Sequence, residues 1–466
     1  MTFGLRLAEL VDELAALLAR LATLVAELDP DPPAPFTIVR LADVTLLEGL
    51  MPAPIPVTTT GGIAPITLSA SGLPDGLTLT DNGDGTGEIV GTITAGETAS
   101  SPFTVTISAT DGAGQTDDEV FSVTVTATPP VAGGTVSLSQ VGTIRSSTAM
   151  NNPIGIAYDS LRGLCFTASN FGDELAVVDV STPATPTVVG SVSSSSLDGA
   201  AQVAYDAANE LCYVACQIAD SLTVVDVSTP SAPTVVGSIS DTRFNTANGV
   251  CYDAANSLCY VTAISADRVI VVDVSTPATP TVVGSVTAAS LNGPVGIVYD
   301  AANELCYVAA QTSQSLTVVD VSTPSTPTVV GSISSVTDLN FAFAVAYDAA
   351  NELCYVASVS SDSVTVVDVS TPSAPTIVGS VIDTTDLNGP RGIVYDAANE
   401  LCYVACNNGD SLTVVDVSTP SAPTVVDLFT SADTDACYDV AYDPPSGVAY
   451  VVAPDIDSLT IIDIFT

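Results

Sequence analysis

The sequence predicts a mainly β protein whose largest part is a seven-bladed β-propeller, preceded by a smaller β-sandwich and an N-terminal helix. Three observations predict it. The segment VVDVSTP recurs at Val177–Pro183, Val224–Pro230, Val271–Pro277, Val318–Pro324, Val366–Pro372 and Val414–Pro420, with a reduced seventh copy at Ile461–Phe465. Its aspartates, from Asp179 to Asp463, are spaced 47, 47, 47, 48, 48 and 47 residues apart. Every segment inside the period has strand character, and a strand-only period in the forties is one propeller blade per unit.

Taken in order, residues 5–28 read as one helix. Leu7, Leu14, Leu21 and Leu28 repeat every seven, and Leu10, Leu17 and Leu24 sit three positions after the first three, an a/d heptad pattern. Val11, Leu18 and Val25 widen the apolar stripe. Pro30, Pro32, Pro33 and Pro35 stiffen the exit. Residues 1–33 are therefore expected to be a coiled-coil stem that makes a homo-oligomer, a trimer before a pentamer. Docking of the helix on its own chain is the other reading.

Residues 34–130 change to alternating runs bounded by Gly, Asp and Asn turns, as in a β-sandwich. The GLPDGLTL block at 72–79, GTI at 91–93 and ATDGAG at 109–114 carry a resemblance to the immunoglobulin-like modules of bacterial and archaeal surface proteins. Cadherin-like relatives bind calcium in acidic loops, which makes Asp81, Asp84 and Asp111, with Asp117 and Asp118, the calcium candidates. DNGDGTG lacks the EF-hand order and its Glu, so turn formation is the competing reading. No other cofactor is expected.

Residues 131–466 form the propeller. Each repeat reads as four strands such as GIVYD, ELCYVA, SLTVVDV and PTVVGSI, joined by a DAAN turn, a turn usually ending in Asp-Ser, the STPSAP corner and a longer loop. The VVDVSTPSAPTVVGS block resembles YVTN/LVIVD-type propeller repeats, a likeness specific for the fold and not for an activity. The last copy lacks a PTVVGSI strand, while an orphan one stands at Val136–Ile144. That strand is expected to complete the last blade and close the ring. The aspartates before Ser-Thr-Pro are read as corner formers, since a site would break the sevenfold pattern.

Composition narrows the function. The formal net charge is −44 with eight Lys+Arg, no His and no Trp. Such a surface repels nucleic acid and anionic lipid, so neither nucleic-acid binding nor membrane insertion is expected. It fits a high-salt environment. Cys165, Cys212, Cys259, Cys306, Cys354 and Cys402 occupy one strand position in successive blades, too far apart to bridge, and read as apolar core in a reducing compartment. No hydrophobic run is long enough to span a membrane, and Glu9, Asp12 and Glu13 interrupt the apolar N-terminus, which points to folding in the cytoplasm.

The DAANE and STPSAP connectors are nearly constant between blades, while the second and fourth sets diverge. The variable face collects Arg145, Arg243, Arg268 and Arg391, Phe171, Phe244, Phe341 and Phe343, and asparagines such as Asn407 and Asn408. Exposed loops on a rigid scaffold are where binding residues concentrate, so these form the expected ligand-binding set. No enzyme activity is expected: the usual bases reduce to carboxylates, and the His-containing sites of propeller enzymes such as lactonases are missing. Stem, spacer and ring-shaped head together suit a virion surface protein of a halophile's virus. It would join a capsid or tail protein and attach to a host glycan or surface protein. A prokaryotic cell-surface adhesion or scaffold protein is the alternative.

Overall fold

The structure is a computed structural model and describes residues 20, 36–41, 44–47, 55–91, 93, 101–126 and 136–464. The stem expected over 5–28 lies, Arg20 apart, outside the described residues. The chain divides into two units, Met1–Thr128 and Pro129–Thr466.

Among the described residues of the first unit eight strands make two four-stranded sheets. Strands β1 (Thr37–Ile38), β3 (Ile55–Thr60), β6 (Thr86–Gly91) and β5 (Leu77–Asp81) form one. Strands β2 (Val44–Leu47), β8 (Thr116–Thr126), β7 (Phe103–Thr110) and β4 (Thr67–Ser71) form the other, with β2 parallel to β8. Alternation places Val57 and Ile89 of one sheet and Leu68, Val105 and Ile107 of the other in a single core, which makes the unit a sandwich. The calcium candidates serve its turns. Asp81 accepts from the Gly83 and Leu68 amides, Asp84 from the Thr86 amide and hydroxyl, and Asp111 from the Ile63, Ala113 and Gln115 amides. Among the described residues no three acidic, His or Cys side chains cluster as a metal site.

The second unit holds seven four-stranded sheets. Blade 1 is typical: inner strand Pro153–Asp159, then Leu164–Ser169, Glu174–Asp179 and outer strand Thr187–Ser193, all antiparallel. The second strand is buried along its whole length because neighbouring blades cover both its faces. Its cysteine packs there as a small apolar side chain, and burial pushes the thiol of Cys165 well above its ordinary range. Blade 7 has three strands of its own, Asp439–Asp443, Val448–Ala453 and Ser458–Asp463. Its fourth is Ser139–Arg145, which pairs antiparallel with Ser458–Asp463.

Two devices repeat around the ring. The carboxylate of Asp179 accepts from the Ser181 amide at 2.9 Å and hydroxyl at 2.6 Å, holding the corner after the strand. Asp226, Asp273, Asp320, Asp368 and Asp416 accept from the matching serine amide in the same way. These corners dock on the preceding blade's outer strand, where glycine is required: a Cβ on Gly190 would overlap the Pro230 carbonyl oxygen. The second device is a latch at the end of each inner strand. Asp300 accepts from the Ala302 amide and Asn303 side chain of its own turn, and from Tyr347 of the next blade at 3.0 Å. Tyr205–Asp159, Tyr395–Asp348 and Tyr442–Asp396 repeat the inter-blade bond, and Tyr158–Asp443 makes it across the closure.

Candidate active site on the propeller axis

Each inner strand begins where a variable fourth connector ends, so its first residues lie at the variable face of the ring. Aligned on their terminal Tyr-Asp, the seven inner strands differ at the positions four and three residues before the tyrosine, the first of which lies just ahead of the strand in blade 7. These read Ile154–Gly155, Ala201–Gln202, Asn248–Gly249, Val295–Gly296, Phe343–Ala344, Arg391–Gly392 and Tyr438–Asp439. The next position, two before the tyrosine, is always β-branched: Ile156, Val203, Val250, Ile297, Val345, Ile393 and Val440. Residues from all seven blades line one cavity of about 230 Å³, which therefore lies on the axis.

Arg391 dominates one wall. Its guanidinium carbon stands 4.9 Å from the Phe343 ring centre and 4.7 Å from that of Tyr438, and Nη1 donates to the Tyr438 hydroxyl at 3.3 Å. Faces of aromatic rings offset part of the desolvation of a cation held in this way. No carboxylate of the described residues pairs with Arg391, and its buried Nε has no hydrogen-bond partner among them. Phe341, at the end of its connector, stacks on Phe343 with centres 6.4 Å apart and is 36% exposed.

Asp439 is the one carboxylate among the residues lining the cavity. Its Oδ2 accepts from Gln202 Nε2 at 3.0 Å and from the Ile156 amide at 3.2 Å. Burial pushes its pKa up to about 6, against the lowering effect of those donors. Glycine makes room for both side chains: a Cβ on Gly392 would meet Asp439 Cα at 2.6 Å, and one on Gly155 would meet Gln202 Oε1 at 2.6 Å. Asn248, almost buried, completes the polar set.

The residues expected to bind ligand divide. Phe341, Phe343 and Arg391 come together here, the last two on inner strands and not in exposed loops. Arg145 is instead bound to Asp433 at 2.6 Å and to the Ala432 carbonyl, and Arg243 is held by Asp241 two residues earlier. Phe244 is fully buried between blades, which corrects its expected exposure. It fills the place that Leu197, Leu291, Leu339 and Leu387 plug in other connectors. Arg268 donates to the Ala266 carbonyl and Ser285, Asn407 to the Ala436 carbonyl, and Asn408 is exposed. Gln202, Asn248, Tyr438 and Asp439 were not among the expected residues. Their signal in the sequence is that they break the sevenfold pattern in the inner strands or, for Tyr438, just before one.

A sevenfold ring whose symmetry fails at one end of its axis defines a propeller with an axial pocket. The chain belongs to the family described as Lactonase, 7-bladed beta-propeller, whose model matches residues 135–423. Residues 35–126 match the model described as Putative Ig domain. No curated protein matches the chain. Solved structures similar to it include the β-propeller domain of Cps50 (Swd1) from Myceliophteria thermophila, at 12% identity and TM-score 0.56, covering 70% of this chain and 100% of that one. A putative 6-phosphogluconolactonase from Bacteroides fragilis aligns at 11% identity and TM-score 0.54, covering 67% and 98%. Hydrazine Synthase from Kuenenia stuttgartiensis aligns at 14% and 0.56, covering 72% and 99%. At these identities the structures share the fold.

Membership of a lactonase family overturns the expectation that the chain is not an enzyme. That expectation equated missing histidine with missing catalysis. A carboxylate whose pKa burial pushes up to about 6, as at Asp439, can serve as a base near neutral pH.

Proposed function

We propose that the chain is a hydrolase that opens a small lactone in the axial cavity. The observation that carries this reading is the failure of sevenfold symmetry that sets Arg391, Asp439 and Gln202 around one pocket. In the proposed reaction the lactone carbonyl oxygen lies against the Arg391 guanidinium. The Asp439 carboxylate takes a proton from water as the water oxygen bonds to the carbonyl carbon. Negative charge gathers on the carbonyl oxygen, where a fixed cation in a desolvated wall stabilises it. The ring C–O bond then breaks, and Asp439 returns its proton to the leaving alkoxide, giving a hydroxy acid. Gln202 holds the carboxylate in place.

The test is hydrolysis of a panel of γ- and δ-lactones by the full chain in a pH-stat. Activity is expected to rise through pH ~6 as Asp439 ionises and then level off, and Asp439→Asn is expected to lower it by about 10²–10³-fold. Rates no higher than in buffer, or an Asn variant as active as the parent, would sink the proposal.

A second reading concerns where the propeller is displayed. Phe171, Ile218 and Val336 are 69%, 61% and 76% exposed, and all three stand in variable connectors. They support attachment of a virion surface protein to a host glycan or protein, with residues 1–33 as an oligomeric stem. Replacing the three by serine is expected to reduce binding of the protein to host cells while leaving lactone hydrolysis intact. Unchanged binding would remove this reading.

A further inference from the structure

We infer that the substrate is a lactone with an aliphatic tail and at most one negative charge, and not a phosphorylated sugar lactone. The inference rests on the hydrolase reading and narrows it. Three features of the cavity lead to it.

The first is charge. Arg391 is the single cation among the lining residues, and Asp439 is its single carboxylate, so the two cancel. Recognition of a phosphate dianion needs converging cationic donors. Here the one guanidinium already spends Nη1 on Tyr438, on a chain of net charge −44. A carbonyl oxygen, or the single carboxylate of the opened product, matches what Arg391 has left.

The second is the wall beyond the polar set. One residue further along every inner strand, the seven β-branched side chains each keep 3–8% of their surface open. They offer hydrocarbon where a sugar would present hydroxyls, and a hydroxyl desolvated without a partner weakens binding. An alkyl chain has no such groups to satisfy.

The third is size and lopsidedness. Pockets for drug-sized ligands run to roughly 300–1,000 Å³, and this one is about 230 Å³. Blades 5–7 fill their side with Phe343, Arg391 and Tyr438, whereas Ala201 and Val295 leave space opposite. A planar lactone group against the cationic wall, with a short chain running towards the aliphatic ring, occupies both halves.

The experiment compares the full chain on δ-lactones of increasing alkyl length with 6-phosphogluconolactone. We expect kcat/KM to rise about threefold to fourfold per added methylene until the cavity is full, and to exceed that for the phosphorylated lactone at least tenfold. Equal or faster hydrolysis of the phosphorylated lactone overturns the inference and leaves the hydrolase reading standing. If no lactone is hydrolysed, the hydrolase reading falls, and calorimetric titration of the full chain decides the ligand class separately. Binding of 5-hydroxydecanoate at least tenfold tighter than 6-phosphogluconate then sustains the aliphatic, singly charged ligand class and overturns the lactone as substrate. The reverse order, or no binding of either, overturns both.

Discussion

The two ends of the inner strands belong to the same seven copies, and one end is constant where the other varies. At the far end Tyr-Asp occurs in every blade, from Tyr158–Asp159 to Tyr442–Asp443, and its hydrogen bonds tie each blade to its neighbour. At the near end no two blades share the same pair. Repetition marks what every junction needs for stability, and its loss marks what the ring needs only once. The near end also holds groups that work against folding: a desolvated carboxylate, a cation without a carboxylate and a strained aromatic. Groups that weaken the fold gather where binding or catalysis requires them.

The sharpest way to separate the ends is Arg391→Met, which keeps the packing volume and removes the charge. It is expected to lower kcat/KM for lactone hydrolysis by about 10²–10³-fold with the melting temperature within a few degrees. A large loss of stability with it would place Arg391 among the structural groups. At the other end, Asp300→Ala strips the acceptor from the Ala302 amide, Asn303 and Tyr347. A loss of about 2–3 kcal/mol is expected in denaturant titration, with kcat/KM unchanged at a temperature where the variant is folded. An intact midpoint would show that the latch is dispensable.

Asp439→Asn gives a smaller and opposite effect on stability. Burial raises the folded-state pKa of Asp439 to about 6 from an ordinary 3.8. Its contribution is therefore fully present below pH ~4 and lost as pH rises through about 6. At pH 8 the asparagine variant should be more stable than the parent by on the order of 2 kcal/mol, and the gap should close near pH 4. A gap that does not depend on pH would mean that the carboxylate is not desolvated in the folded protein.

Phe341 provides the mildest test. It adopts φ 60°, the left-handed region, at the connector position that Gly199, Gly293 and Gly389 fill in other blades. Phe341→Gly relieves about 1–2 kcal/mol of backbone strain, offset by the roughly 0.5–1 kcal/mol that glycine costs in chain entropy. The melting temperature should stay within about 2 °C, while loss of stacking at the rim raises KM roughly twofold to tenfold. An unchanged KM would show that the rim aromatic does not touch substrate.

The fold was legible because a 47-residue period forces one blade per unit, and the orphan strand at 136–144 balances the missing strand at the other end. The site was only half legible. Arg391, Phe343 and Phe341 stand out as departures from the repeat, but a departure alone does not distinguish an exposed loop from the start of an inner strand. Arg243 could have been set aside from the sequence, since Asp241 is two residues away, and Phe244 because leucine plugs the same place elsewhere. Arg145 could not, because Asp433 lies 288 positions off and only ring closure brings it near. Nor could the pKa of Asp439, which depends on three blades meeting: the aspartate is on blade 7, the Ile156 amide on blade 1 and Gln202 on blade 2.

The pairing of Ser139–Arg145 with Ser458–Asp463 also sets a timetable. The early strand must wait for more than 300 further residues before its partner exists. At synthesis rates of about 5–20 residues per second that is roughly 15–60 s. Throughout that interval the growing arc carries open strand edges of the kind that seed aggregation. Asp439 and Tyr438 belong to the seventh blade, so the axial pocket is complete only after the other six blades have been made. A chain that stops short of the last blade therefore has both open strand edges and an incomplete axial pocket.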